Sequence, residues 1–189
     1  MEENNQRWVD GLRRGDSASF DEAYRFYRPR IYSFLARLTR DRATAEDLLQ
    51  ETWIRLARNA LTLEEGTELG AWLFSVARNL FISHHRWRLI RLDEVKMLNI
   101  GGGHENPSPF DLVSASETEK RLEAAIGKLP IAQREILLLV ALEGFTPGEA
   151  AKVLGIPPDT ARQRLLRARS SVASDLGDEF QQRAVGGDP

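Results

Sequence analysis

Four side chains near the carboxyl end carry the chemistry needed to read a base edge: Arg162, Gln163, Arg164 and Arg167. A guanidinium can donate two parallel hydrogen bonds to guanine, and a glutamine amide can pair in the same way with adenine. Thr160, just before them, adds a hydroxyl suited to a base or a phosphate. A second group lies mid-chain, where Arg78, Arg86 and Arg88 interleave with Trp72, Phe74, Phe81 and Trp87, and Asn79, Ser83 and His84 add short polar groups. Cations along a backbone and rings for bases are the mixture that holds single-stranded nucleic acid. A solvated arginine face over a core containing Trp72 and Phe81 accounts for the same residues, and for Trp72 the core is the better account. The third group is acidic. Asp47, Gln50, Glu51 and Ile54 recur at helical spacing, with Arg55 beside them. An isoleucine among acids and an amide makes a stripe on which another protein can dock, although spacing alone slightly favours an ordinary solvated face.

Some chemistry is excluded. The chain has no cysteine, so disulfides, thiol nucleophiles and cysteine-based zinc sites are absent. His84 and His85 are adjacent, and neighbours on a helix point roughly 100° apart. They are not the i, i+4 pair of a helical zinc site. No catalytic residue, metal or cofactor is expected.

The elements that must position these groups read as helices, and strand signals are weak. From Asp16 to Thr39, apolar residues recur at three-and-four spacing, with a break or kink expected at Pro29. Asp41 caps the next helix, whose core face is Ala45, Leu48, Leu49, Thr52, Trp53 and Leu56. A loop around Glu64 to Gly70 leads into a third helix that starts near Ala71 and buries Trp72, Leu73, Val76 and Leu80. Residues Asn99 to Ser116, with Gly101-Gly102-Gly103, Pro107 and Pro109, read as a linker. Helical spacing resumes at Glu117, Pro130 punctuates it, and Ile136 to Leu142 form the next helix.

After that helix several independent cues coincide. Thr146-Pro147-Gly148-Glu149 is a capping box with proline at the first helical position. Ala150, Ala151, Val153 and Leu154 give a short apolar face, and Gly155 suits a left-handed cap. Pro157-Pro158 then prevents continuation, and Asp159 is expected to cap a second helix that buries Ala161, Leu165, Ala168 and Val172. A short helix, a tight turn and a basic second helix form a helix-turn-helix. The plainer alternative is a helical hairpin with a solvated basic face. The expected fold is all-α: two small helical domains joined by a flexible linker, the second a helix-turn-helix. The expected spans are 1–95, a linker at 96–117, 118–177, and a frayed tail at 178–189.

A net charge of −2 hides a strong sorting of charge. Acids dominate from Asp41 to Glu68 and again from Asp93 to Glu119, whereas Arg78 to Arg91 contains no acid. From Asp159 to Arg169 one aspartate faces Arg162, Arg164, Arg167 and Arg169. Local patches matter more to a nucleic acid than the total. The segment from Met1 to Asp16 is polar and is no secretory signal, and the longest apolar run, Ile136 to Leu142, is too short to span a bilayer. A cytoplasmic protein without membrane insertion is expected.

Taken together, Asp47-Leu48-Leu49-Gln50-Glu51-Thr52-Trp53, Ala71 to Asn79, Leu129-Pro130 with Gln133-Arg134-Glu135, and Ala150 to Pro157 followed by Arg164-Leu165 and Arg167-Ala168-Arg169 resemble the extracytoplasmic-function group of bacterial sigma factors. The resemblance implies a subunit that gives RNA polymerase its promoter recognition. It assigns Asp47, Gln50, Glu51, Ile54 and Arg55 to the clamp coiled coil of the core enzyme. It assigns Arg78, Asn79, Ser83, His84, Arg86 and Arg88, with the loop before their helix, to the −10 element. It assigns Thr160, Arg162, Gln163, Arg164 and Arg167 to the −35 element. It also implies contact with the polymerase flap, a linker threaded toward the RNA exit path, and an anti-sigma factor as inhibitor. Asp159-Thr160-Ala161-Arg162-Gln163 departs from the group's usual start of the recognition helix, so −35 base preference does not carry over. The rival expectation is a polymerase-independent, dimeric helix-turn-helix regulator.

Overall fold

In the computed structural model of the protein, backbone is described for residues 2–97 and 116–185, and side chains for 4–90 and 116–177. Most of the expected linker, residues 98–115, lies outside the described residues, as do residues 186–189 of the expected tail. The described elements are all helical, without a strand among them. They are α1 (Glu2–Arg13), α2 (Ser17–Thr39), α3 (Arg42–Asn59), a short 3-10 turn (Ala60–Thr62), α4 (Leu69–Met97), α5 (Glu117–Lys128), α6 (Ile131–Ala141), α7 (Pro147–Leu154) and α8 (Pro158–Val185). They form two compact units, α1–α4 and α5–α8.

In the first unit, α2, α3 and α4 enclose Ile31, Phe34, Leu35, Leu56, Leu73 and Phe74. Each such side chain contributes roughly 1.5–3 kcal/mol by leaving water. Phe34 meets Phe74 edge-on at 5.4 Å, and Tyr24 meets Trp53 at 4.7 Å. Caps set the turns between helices. The amides of Ala18 and Ser19 donate to the Asp16 carboxylate, each at 3.1 Å, and the Thr44 amide donates to Asp41 at 2.7 Å. Pro29 does not end α2. Its ring lies on the exposed face, and Tyr27, Ile31, Phe34 and Leu35, buried on either side of it, hold the helix through the missing amide.

The sequence reading gave no helix before Asp16, yet α1 is one. Asn5, Trp8, Val9 and Leu12 are buried at i, i+3, i+4, i+7 spacing. Trp8 packs on Tyr27 at 5.8 Å and donates through Nε1 to Glu22 at 3.0 Å.

In the second unit, Ile136, Leu138, Leu139 and Leu154 meet Ala161, Leu165 and Ala168 of α8. Arg134 is buried because it serves the end of α5. Its Nε donates to the Ile126 carbonyl at 3.1 Å, and its Nη2 donates to the carbonyls of Gly127 and Leu129. These carbonyls belong to the last turn of α5 and its cap, and that of Ile126 also accepts the Leu129 amide at 3.2 Å. The helix expected from Ile136 starts earlier, at Ile131, with Pro130 in the cap position. The capping box on Thr146 and Glu149 is present, and Gly155 adopts φ 62° as the left-handed cap of α7. Asp159 does not cap α8. It is the second residue of that helix and pairs with Arg162, while the Pro157 carbonyl accepts the Ala161 amide at 3.1 Å.

The docking of α1 generates a prediction with an inverted sign. In an exposed helix, glycine to alanine gains about 1 kcal/mol. A Cβ on Gly11 would stand 1.9 Å from Ser19 Oγ on α2. Gly11→Ala therefore costs about 1–3 kcal/mol in denaturant unfolding. An unchanged or raised midpoint would mean that α1 does not pack on α2 as described.

Candidate functional site

On α8 the core face is Ala161, Leu165 and Ala168. At roughly 100° per residue, Arg162, Gln163, Leu166 and Arg167 fall on the opposite, exposed half. Thr160 and Arg164, four apart, sit half-buried along one edge of it. The five expected residues are therefore brought together, in two roles. Gln163 and Arg167 project outward. Arg164 is anchored from behind, with Nη1 3.9 Å from Oε1 of Glu135, which is only 2% exposed. Leu166 was missed by the sequence reading, although it is 68% exposed in the middle of this polar face. Its signal was its place one residue after the buried Leu165. An exposed aliphatic group in a major groove meets the thymine methyl.

The α7 segment that supports α8 is held by its cap. The amide of Glu149 donates to Thr146 Oγ1 at 3.2 Å, and the Thr146 amide donates to Glu149 Oε2 at 2.7 Å. Thr146 accordingly lowers the pKa of Glu149, through its hydroxyl first and its amide second.

On α4 the candidates separate. Asn79, Ser83 and Arg86 follow i, i+4, i+7 spacing and are exposed, sharing a face with the half-buried Trp72, Ser75 and Val76 and with Trp87, 52% exposed. His84 and Arg88 lie on a different stripe, the one that carries buried Leu73, Ala77 and Phe81 lower down. They reach the surface because the last turns with described side chains are largely exposed. Arg78 stands to one side, with Nη1 3.5 Å from Asn79 Oδ1. Two rings leave the expected mixture. Phe74 and Phe81 are core, and His85 stacks on Phe81 at 5.7 Å. Burial, then Arg88 and His84, lowers the pKa of His85, so near neutral pH this imidazole carries less positive charge than a free one. The cationic character of the helix rests on its arginines.

On α3, Asp47, Gln50, Glu51 and Ile54 share the side opposite Ala45, Leu49, Thr52 and Leu56, and Ile54 is half-buried. Arg55 lies on the flank, where its Nε donates to Glu51 at 3.1 Å. Arg58, four residues after Ile54 and exposed, extends the face and was missed. Its signal was that same spacing. Among the described residues no cluster of His, Asp and Glu could hold a metal, and no helix is long and apolar enough to cross a membrane.

Comparison with known proteins falls on these same helices. Residues 23–88 match the family model Sigma-70 region 2, and residues 119–172 match Sigma-70, region 4. The ECF RNA polymerase sigma factor EcfG of Rhodopseudomonas palustris is 33% identical over 83% of this chain and 89% of its own. The chain belongs to the ECF RNA polymerase sigma factors. Another relative, SigM of Bacillus subtilis, is 33% identical over 82% of this chain and 93% of that protein. Among solved structures, the sigma factor RpoE of Bartonella quintana, crystallised with the anti-sigma factor NepR, is similar with a TM-score of 0.70. It is 27% identical and covers 84% of this chain and 96% of that chain. The family is one of transcription initiation factors. In this sigma factor α1 precedes both matched stretches.

Two predictions follow from the second unit. Removing Arg164 leaves a buried carboxylate facing less positive charge. Arg164→Ala costs about 1–2 kcal/mol of stability, discounted because the arginine is partly solvated. Adding Glu135→Gln restores stability in the same melt but not DNA affinity. Recovery of both together would make Arg164 a purely structural residue. The capping box gives a pH dependence. Because the folded pKa of Glu149 is lowered, its contribution is full above 4.5 and is lost as pH falls through the depressed value. Glu149→Gln flattens that acid limb of the unfolding curve, and an unaltered limb would assign it to other carboxylates.

Proposed function

We propose that this sigma factor holds core RNA polymerase with one helix face and promoter DNA with two others. The α3 face of Asp47, Gln50, Glu51 and Ile54, flanked by Arg55, takes the clamp coiled coil. The α4 face, with the loop at 63–68 before it, takes the −10 element through Asn79, Ser83, Arg86 and Trp87, while Arg78, His84 and Arg88 serve the backbone to either side. In the second unit, Gln163, Arg164, Arg167 and Leu166 meet −35 bases, and Thr160 and Arg162 meet phosphates. The second unit also touches the flap, and the linker at 96–117 joins the domains at 1–95 and 118–177 through the polymerase. The protein works in the cytoplasm, needs no cofactor and catalyses no reaction itself. An anti-sigma factor holds it inactive, as NepR accompanies the Bartonella relative.

One observation carries this reading: an acidic face bearing an isoleucine sits in the same compact unit as a cationic face bearing Trp87. A regulator that works alone has no use for the first. Strand opening also needs a partner. Each unstacked step costs about 1.4 kcal/mol, and a captured base returns roughly 1–3 kcal/mol. One helix captures too few bases to open a promoter.

The test is transcription with purified core polymerase on the organism's own promoter fragments. Defined starts appear only when the protein is added, and gel shifts without polymerase are weak. Tight binding to a palindromic duplex without polymerase would favour the dimeric regulator instead. Ile54→Asp lowers affinity for core polymerase about thirtyfold, near 2 kcal/mol, without lowering the melting temperature. Unchanged affinity would remove α3 from the docking role.

A further inference from the structure

The loop between the 3-10 turn and α4 is held at its start by buried Leu63 and, at Glu65, by a long, exposed ion pair to Arg13 of α1 at 3.9 Å. Glu64, Glu65, Gly66 and Glu68 are exposed, and Gly66 turns at φ 75° with open space around it. Its own bonds are local: the Thr67 amide and hydroxyl both donate to the Glu64 carbonyl, at 3.2 and 2.7 Å. Neither ties the loop to the bundle.

Asn5 of α1 does. Its Nδ2 donates to the Thr67 carbonyl at 2.9 Å, and its Oδ1 accepts the Leu69 amide at 2.8 Å. The side chain is 8% exposed, more than sixty residues away in sequence, and engages the last part of the loop and the first residue of α4 together. A primary amide suits this because it presents one donor and one acceptor side by side. It fills an early amide of α4, which the helix cannot serve itself, and fixes the direction in which the loop enters. Nearby, the Tyr27 hydroxyl of α2 stands 3.0 Å from where a Cβ on Gly70 would be, so the first turn of α4 is seated closely from that side as well.

We infer that Asn5 is a positioning residue for −10 recognition: it clamps the 63–68 loop to the start of α4 and so sets where that loop meets an unpaired base. The inference rests on the proposed role of α4 and its preceding loop. It gives α1, which lies before the matched region, a task in promoter reading.

Asn5→Asp separates clamp from cap. The carboxylate still accepts the Leu69 amide, and negative charge is favoured at a helix start. Ionised, it has no donor for the Thr67 carbonyl, so the Thr67 end of the loop loses its bond to α1. Holoenzyme is assembled from core polymerase and each variant, and is titrated with a labelled single-stranded non-template oligonucleotide carrying a −10 segment mapped from wild-type transcription starts. A second oligonucleotide carries one base change in that segment. With Asn5→Asp, core affinity is unchanged, binding of the mapped oligonucleotide falls about tenfold, the size of one lost base contact, and the preference over the changed oligonucleotide shrinks. Wild-type affinity and preference would overturn the inference. A variant that does not fold is replaced by Asn5→Ala, which buries no charge and is judged by the same two ratios. Arg86→Ala is the control. If it weakens oligonucleotide binding and the Asn5 variants do not, the clamp is wrong and the α4 reading stands. If Arg86→Ala and the Asn5 variants all bind as wild type, the α4 reading itself fails.

Discussion

A helix starts with backbone amides and ends with carbonyls that its own turns cannot satisfy. Every described element of this protein is a helix, so such groups recur at each turn, and the side chains that meet them come both from local caps and from other elements. Arg134 of α6 closes α5 by donating to three carbonyls. Asn5 of α1 opens α4. Thr146 and Glu149 open α7. Each bond contributes on the order of 1 kcal/mol. Its geometric effect is larger, because a cap supplied by another helix fixes how two axes meet, which apolar contacts alone leave adjustable.

The functional faces depend on that fixing. Arg164 reaches the exposed side of α8 beside buried Glu135 of α6, the helix whose Arg134 closes α5. In the first unit, the outer face of α3 keeps its acids outward because Ala45, Leu49, Thr52 and Leu56 are inside, and Glu51 is partly neutralised by Arg55. Asp47 at one end and Arg58 at the other then bracket the half-buried Ile54 on that face.

The helix-turn-helix was legible almost residue by residue, because its signals are local: a capping box, a glycine that takes positive φ, and a proline pair. The helical class and most buried positions on α2, α3 and α8 were legible from periodicity. The rest depended on tertiary contact. The burial of α1 rests on Asn5, Trp8, Val9 and Leu12, a sparse stripe among charged neighbours, and Asn5 reads as polar until its partners at Thr67 and Leu69 are known. Asp159 looked like a cap because it follows two prolines, but proline suits a first helical position and α8 starts one residue earlier. Phe74 and Phe81 looked available to bases because arginines surround them, and the packing of α4 into the bundle, with Phe34 of α2 against Phe74, puts them inside. His84 and Arg88 share polarity and charge with Asn79, Ser83 and Arg86, but at 3.6 residues per turn they belong to a different stripe, so charge grouped what spacing separates.

The sorting of charge explains why a chain of net charge −2 serves DNA. A uniformly basic protein of this size would hold any duplex through its phosphates, with affinity set by counterion release. Here acids on α3 and around 63–68 oppose that attraction, and the cationic faces on α4 and α8 are small and lie in separate compact units. In the proposed role each face alone would be a weak site; held at fixed spacing on core polymerase, the two would act on the same DNA, with the second contact intramolecular. Weak separate sites therefore give selectivity that one strong site would not, because only DNA presenting both elements at the spacing imposed by the partner gains from both.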